Sequence, residues 1–332
     1  MNIPHSPRFP RIPRFLRLAL AIAASAQAAA AADPATNAVD TVEEDLAEPR
    51  HAVFGIGGGI GDSRWAWPGE DAIVDGFVLA LGLSLFEGHN GVGLGLGAQW
   101  ADEALNGVHL SLVQHDASVM RGVQIAGILN TGGRSEGLQI AGFANFIREG
   151  AGVQLSLLMN SNQILMPPRT DHYADYYERF DANEFAGVQI APFGNVASCL
   201  EGVQIAGLIN KSDGYHADGL QLALGMNISR RMRGVQAALW GNRAEESLSG
   251  VQLGLFNLAE GELRGVQIGA MNGAKETLCG VQIGLLNNAK DVRGLQIGAV
   301  NLARHLEGVQ IGLLNYAGDA AVPCLPLLNA HF

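Results

Sequence analysis

Gly265-Val266-Gln267-Ile268-Gly269-Ala270-Met271-Asn272 is followed fifteen residues later by Gly280-Val281-Gln282-Ile283-Gly284-Leu285-Leu286-Asn287. Gly, then Val or Leu, then Gln or His also opens units at Gly107, Gly122, Gly137, Gly152, Gly187, Gly202, Gly219, Gly234, Gly250, Gly294 and Gly308, making thirteen copies. The steps are 14 to 17 residues except the one from Gly152 to Gly187, which contains an insertion. A fixed short period is the signature of a repeat architecture and overrides the two-domain expectation that length alone would give. Gln holds the third place in twelve copies, with His109 as the exception, and Asn closes twelve. Weaker copies precede these around Gly76 and Gly91.

Within a unit, Val266 and Ile268 alternate with Gly265, Gln267 and Gly269, which is the period of a β-strand. The pattern predicts a strand of about eight residues and a return of about seven, with Asn marking the turn by bonding nearby backbone and tolerating left-handed angles. Up to Asn242 the Asn lies eight residues after its Gly, and from Asn257 onward seven after. A one-residue slip inside a straight strand would reverse every later side chain, so the slip must be absorbed at a corner or bulge near the Asn.

The fold class is all-β, and the unit fits a β-solenoid with coils of about fifteen residues. Equivalent residues then stack about 4.8 Å apart, Val and Ile form interior ladders, and Asn forms a ladder at a corner. The Gln column, from Gln124 and Gln139 onward, becomes a ladder of stacked amides or, if it faces solvent, a flat polar strip for glycans or another solenoid. The alternative is an up-and-down outer-membrane β-barrel. Phe332 favours it, since a terminal aromatic is common there. Against it stand strands short for a span, connections of one uniform length and no recurring aromatic girdle.

Around the repeats, residues 1–32 carry Arg8, Arg11, Arg14 and Arg17, a short apolar run from Phe15 to Ala26, and small residues at Ala26-Gln27-Ala28 and Ala30-Ala31-Ala32. This predicts a cleaved signal peptide and export to the periplasm, outer membrane or cell surface. Residues 33–50 read as an acidic flexible leader, 51–106 as divergent N-terminal β-repeats, 107–160 and 187–320 as regular repeats, and 321–332 as a C-terminal cap. Without the four arginines of residues 1–32, 17 basic residues face 32 acidic ones, a net charge of −15. That balance repels nucleic acid. Cys199, Cys279 and Cys324 are odd in number and fit no metal spacing.

The inserted segment 161–186 holds Asp171-His172-Tyr173-Ala174-Asp175-Tyr176-Tyr177. Insertions in solenoids often form the binding surface, and Tyr offers a large face with a polar tip. Tyr173, Tyr176, Tyr177, Asp171, His172 and Asp175 are the candidate contacts for an unknown surface ligand, a glycan or a protein. No metal or cofactor is expected. Gly55 to Gly61 is glycine-rich but lacks the helix and acidic partner of a nucleotide loop. No Gly-x-Ser-x-Gly, His-Glu-x-x-His or Cys-x-x-Cys occurs, and no enzymatic role is expected.

The tandem Gly-Val-Gln-Ile-Gly-Leu-Leu-Asn and Gly-Val-Gln-Ile-Ala-Gly-Leu-Ile-Asn units resemble those of bacterial surface-repeat proteins of spirochaetes and Bacteroidetes, from Gly107 to the C-terminus. The resemblance implies export and a cell-envelope location and carries over no functional residues. The Gln-x-Gly-x-x-Asn-x-Ala pattern from Gln267 is also similar to the core of curli subunit repeats, which form amyloid-like β-solenoids. Those repeats are longer and begin with a Ser that is absent here. The expected role is a structural or adhesive envelope protein. A membrane pore and a self-assembling amyloid-like subunit are the alternatives, so membrane association and self-association both stay open.

Overall fold

The computed structural model describes residues 50–60, 63–163 and 184–332, and among these every regular element is a β-strand. The strands form a parallel β-solenoid. Each coil hydrogen-bonds to the next with its landmarks in register: Gly250 on Gly265, Val251 on Val266 and Gln252 on Gln267, then Gly265 on Gly280 and Gln267 on Gln282. The divergent copies belong to the same stack, with Gly76 on Gly91 and Gly91 on Gly107. Parallel pairing of successive units rules out the up-and-down barrel, in which neighbours run antiparallel.

The expected seven-residue return is itself strand. Leu129–Ala141 and Ala144–Ser156 are each extended over 13 residues, separated by a two-residue bend at Gly142-Phe143. The one-residue slip is absorbed at that bend. Ala237 pairs with Leu253 and Gly241 with Phe256, so three residues turn the corner in one coil and two in the next. The Gln and Asn columns pass undisturbed on either side. The insertion is accommodated in the same way. Gly152 pairs directly with Gly187, and Asn160 with Asn195.

The interior reverses one expectation. The Val and Ile of the Gly-Val-Gln-Ile segments do not line it; they point outward, and Ile268 is 42% exposed. Buried instead are Gln and Asn in one half of the coil and Ala and Leu in the other, such as Ala244, Ala259, Ala274, Leu248, Leu263 and Leu278. Alternation tells which residues share a face but not which face is inside. Amides win the interior because stacking satisfies them completely. Gln267 donates to Gln252 Oε1 at 2.8 Å and to the Gly273 carbonyl at 3.1 Å, and accepts from Gln282 at 2.8 Å. Asn272 donates to Asn287 Oδ1 at 2.8 Å and to the Ile283 carbonyl at 2.9 Å, and accepts from Asn257 at 2.9 Å. The solvent-facing alternative for the Gln column therefore falls.

The two columns run in opposite senses. Each Asn from Asn130 to Asn301 donates to the Asn of the following coil. Each Gln from Gln139 to Gln310 donates to the Gln of the preceding one. The second Asn proton reaches a carbonyl at the bend of the next coil, so Asn does mark the corner, but from inside. The left-handed angles belong to the glycine that opens each unit, with φ of +140° at Gly265. A Cβ there would lie 1.9 Å from the Gly250 carbonyl oxygen.

Both ends of the stack are closed by antiparallel strands. At the N-terminal end, Ser63–Trp67 pairs antiparallel with Arg50–Ile60, which itself lies parallel on Ala72–Ala80. This places the glycine-rich run, as far as Ile60, in a strand. At the C-terminal end, Cys324–His331 folds back antiparallel on Gly308–Tyr316, and Asn329 donates to Gln310 Oε1 at 3.5 Å, closing the Gln column. The three cysteines are free thiols.

Two consequences can be measured by chemical denaturation of single variants. Gly265→Ala loses at least about 3 kcal/mol, since both the dihedral angle and the contact are forbidden. Gly88→Ala stays within about 1 kcal/mol of the parent, because φ is not left-handed there and the nearest atom lies 3.7 Å from an added Cβ. Asn272→Ala strands the acceptor of Asn287 in a closed interior and costs roughly 3 kcal/mol.

Candidate functional site

The sequence-derived contacts Asp171, His172, Tyr173, Asp175, Tyr176 and Tyr177 lie outside the described residues, as do residues 1–32, expected to be a signal peptide, and all but the last of residues 33–50, expected to be an acidic leader. What the structure does place is the root of the insertion. The chain leaves the stack after Gln163 and re-enters at Glu184. Asn162 Oδ1 accepts from Gln189 at 2.5 Å, and Gln163 Nε2 donates to Asp213, so the departing segment is held by the coils on its far side.

The surface of the stack is divided in two. From the residue after the opening Gly to the residue before the Asn (His115 in the first copy), none of the thirteen copies contains Asp, Glu, Lys or Arg. Counting the Gly as first, the second and fourth residues face outward from the sheet, and the sixth and seventh form the bend, or the fifth and sixth from the coil of Gly250 onward. Leu157, Leu224, Leu239, Trp240, Leu285 and Leu313 stand on the bend as exposed side chains, Leu313 at 73% and Leu285 at 67%. Ile190, Ile205, Ile268, Ile283 and Ile311 flank them. Between Ile190 and Gly254 the strip dips into an open trough of about 690 Å³ lined wholly by aliphatic side chains and glycine.

The rest of each coil, from the residue after the Asn to the residue just before the next Gly, carries the charges. They pair along the axis: Lys275 with Glu260 at 2.9 Å, Lys290 with Glu276 at 2.6 Å, Arg293 with Glu307 at 3.2 Å and Arg121 with Glu136 at 3.4 Å. Such exposed pairs contribute little stability individually. Their effect is to keep charge on one edge and leave the other uncharged.

This strip escaped the sequence reading because Val and Ile were expected inside. The available signal was the absence of charge between Gly and Asn in every copy, combined with the amide columns. A surface patch that is both large and apolar marks an interaction site.

A second cluster is internal. Where the amide columns begin, histidines replace them: His109 stands in the Gln column and His115 in the Asn column. His89 lies edge-on to His109, ring centres 4.6 Å apart, and His109 lies 6.1 Å from His115. Gly93 makes room, since a Cβ there would lie 2.5 Å from Gln99 Oε1 and 2.7 Å from His109 Nδ1. The Asn130 amide nitrogen is committed to Asn145 and the Ile140 carbonyl, so its oxygen accepts from His115 Nδ1 at 2.9 Å. That fixes the tautomer and leaves Nε2 buried without a partner. A proton added there gains no acceptor. Burial accordingly pushes His115 down to about 4. Burial, and then the neighbouring His89, push His109 to about 3, and burial lowers His89 as well. Among the described residues, no three His, Cys, Asp or Glu side chains are grouped to hold a metal. The cluster is thus the start of the ladder, built from neutral rings.

Because these histidines titrate near 6.5 when unfolded, the unfolded chain binds more protons between about pH 6.5 and 3. Stability from the cluster is complete above pH 6.5 and is lost as pH falls toward 4 and then 3. Hydrogen exchange of residues 83–130 should accelerate from pH 7 to pH 5 relative to residues 250–310. A His109→Gln, His115→Asn variant, which completes both columns, should abolish that difference. Equal pH dependence in the variant would refute the assignment.

Compared with known protein families, with curated proteins and with solved structures, the chain matches none.

Proposed function

We propose that this chain is a non-enzymatic, exported cell-envelope protein, a structural or adhesive scaffold that works by presenting its uncharged lateral strip to a partner. One observation carries the reading: an apolar surface repeated coil after coil, with no charged residue in thirteen copies, beside a charged part of the coil. Burying that strip is strongly favourable, at about 25 cal/mol per Å² removed from water. The resemblance of the tandem units to bacterial surface-repeat proteins and the signal-like residues 1–32 support the envelope location. The Tyr- and Asp-rich insertion, which begins after Gln163, is a second contact element, so the scaffold can hold two things at once. The antiparallel strands that cover Ile56–Ile60 at one end and Gly308–Tyr316 at the other weigh against the amyloid-like alternative, since over those segments an incoming copy finds no parallel edge to extend.

The experiment is fractionation of cells expressing the full chain. Wild type should be retained with the envelope. Leu239→Glu, Leu285→Glu should shift at least ten-fold toward the soluble fraction while keeping its far-UV circular dichroism. If the two proteins distribute alike, the strip is not the docking surface.

A further inference from the structure

Resting on the reading that the strip is a docking surface, we infer that its occupant is a second copy of this chain, laid antiparallel across a two-fold axis between the coils of Gly219 and Gly234.

The first argument is area. With that axis the twelve coils from Gly122 to Gly308 face one another; at about 4.8 Å each, and about 15 Å from the second to the seventh residue, they give roughly 860 Å². Two such faces bury roughly 1,700 Å², the size of a specific, stable protein–protein interface. The second is periodicity. The strip is a row of side chains repeating at the spacing of β-strands over about 70 Å. A surface of matching ridges and grooves over that length is offered by another solenoid of the same kind. A lipid surface offers no ridges, and the strip lacks a border of Trp, Tyr and Lys suited to a lipid interface.

The third argument is charge, and it fixes the orientation. The residue just before each opening Gly borders the strip. In an antiparallel pair with the axis in the interface, the same border of both copies meets in reverse order. With the axis between the coils of Gly219 and Gly234, Asp218 opposes the partner copy's own residue at position 233, an Arg. Likewise Glu136 opposes residue 293, an Arg, and Arg121 opposes residue 307, a Glu. The remaining borders pair Ala151 with Cys279, Ala186 with Arg264 and Glu201 with Ser249. Every facing pair is opposite in sign or has a neutral member, although the chain as a whole is acidic. All six of the charged residues named in the opposed pairs are exposed, with side chains from 37% to 76% accessible. At the same axis, the bulky Trp240 of one copy lies over the level of Gly225 in the other, and the trough spans the midpoint.

The test is sedimentation equilibrium of the full chain without detergent, with cysteine cross-linking in a Cys279→Ser, Cys324→Ser background. A dimer is expected, and Leu224→Asp, Leu239→Asp should raise its dissociation constant at least a hundred-fold without changing the circular dichroism. Leu224→Cys, beside the axis, should cross-link to itself; Leu313→Cys, about 50 Å from its counterpart, should not. Cross-linking at both positions would overturn the antiparallel arrangement. A monomer that floats with phosphatidylcholine vesicles would replace the second copy by lipid and leave the docking strip standing. A monomer that binds neither vesicles nor an apolar dye would mean that the chain's own residues cover the strip, overturning this inference and the proposed function together.

Discussion

Everything in this stack depends on the satisfaction of buried side-chain amides by identical neighbours one coil away. A primary amide enclosed in a protein must find two acceptors and a donor or lose several kcal/mol. Gln267 and Asn272 find theirs in Gln252, Gln282, Asn257, Asn287 and nearby carbonyls. Apart from a carbonyl such as that of Gly273, no coil can supply these partners to itself. A coil is therefore stable only between two others, and the fold is cooperative along its axis in the manner of other repeat proteins. The same requirement locks the register, since a slip by one residue would expose the amides and bury Val and Ile against them.

That constraint decides where the sequence is free to vary. Between the Gln and the Asn the bend accepts two or three residues, and Ala238-Leu239-Trp240 faces Gly254-Leu255 without disturbing either column. Beyond the Asn, the chain carries the additional residues 164 to 183, after which Asn195 continues the column from Asn160. The ends are constrained as strictly as the middle. His115 gives the first Asn an Nδ1 donor, and Asn329 gives the last Gln a donor from the folded-back strand.

Much of this was legible in the residues. Gly265, Gln267 and Asn272 with their fifteen-residue recurrence specify strand, stack and corner, and the slip at Asn257 points to the bend that absorbs it. What the residues did not reveal is sidedness. Period two separates Val266 and Ile268 from Gln267, and ordinary hydrophobicity then sends the aliphatics inward. Only the axial amide bonds, which need the neighbouring coil, reverse that choice. The strip was missed for the same reason, since its members had already been assigned to a core. The left-handed angle was attributed to Asn, whereas Gly265 bears it, because a carbonyl of the preceding coil approaches too closely for any Cβ. In the sequence His109 stands out only as an exception to Gln, and it is register that places it and His115 at the head of the two columns.

The opposite running sense of the two columns has an electrostatic result. A single file of amides all donating one way would add its dipoles head to tail, and the field at its ends would grow with every coil. Here each added coil brings one Asn pointing toward the C-terminal end and one Gln pointing back, and the two largely cancel. The interior therefore stays near neutral in dipole at any length. A stretch of fifteen residues can be duplicated or deleted within the stack without raising an electrostatic penalty at its ends, so length in such a molecule is open to selection by the partner it has to span.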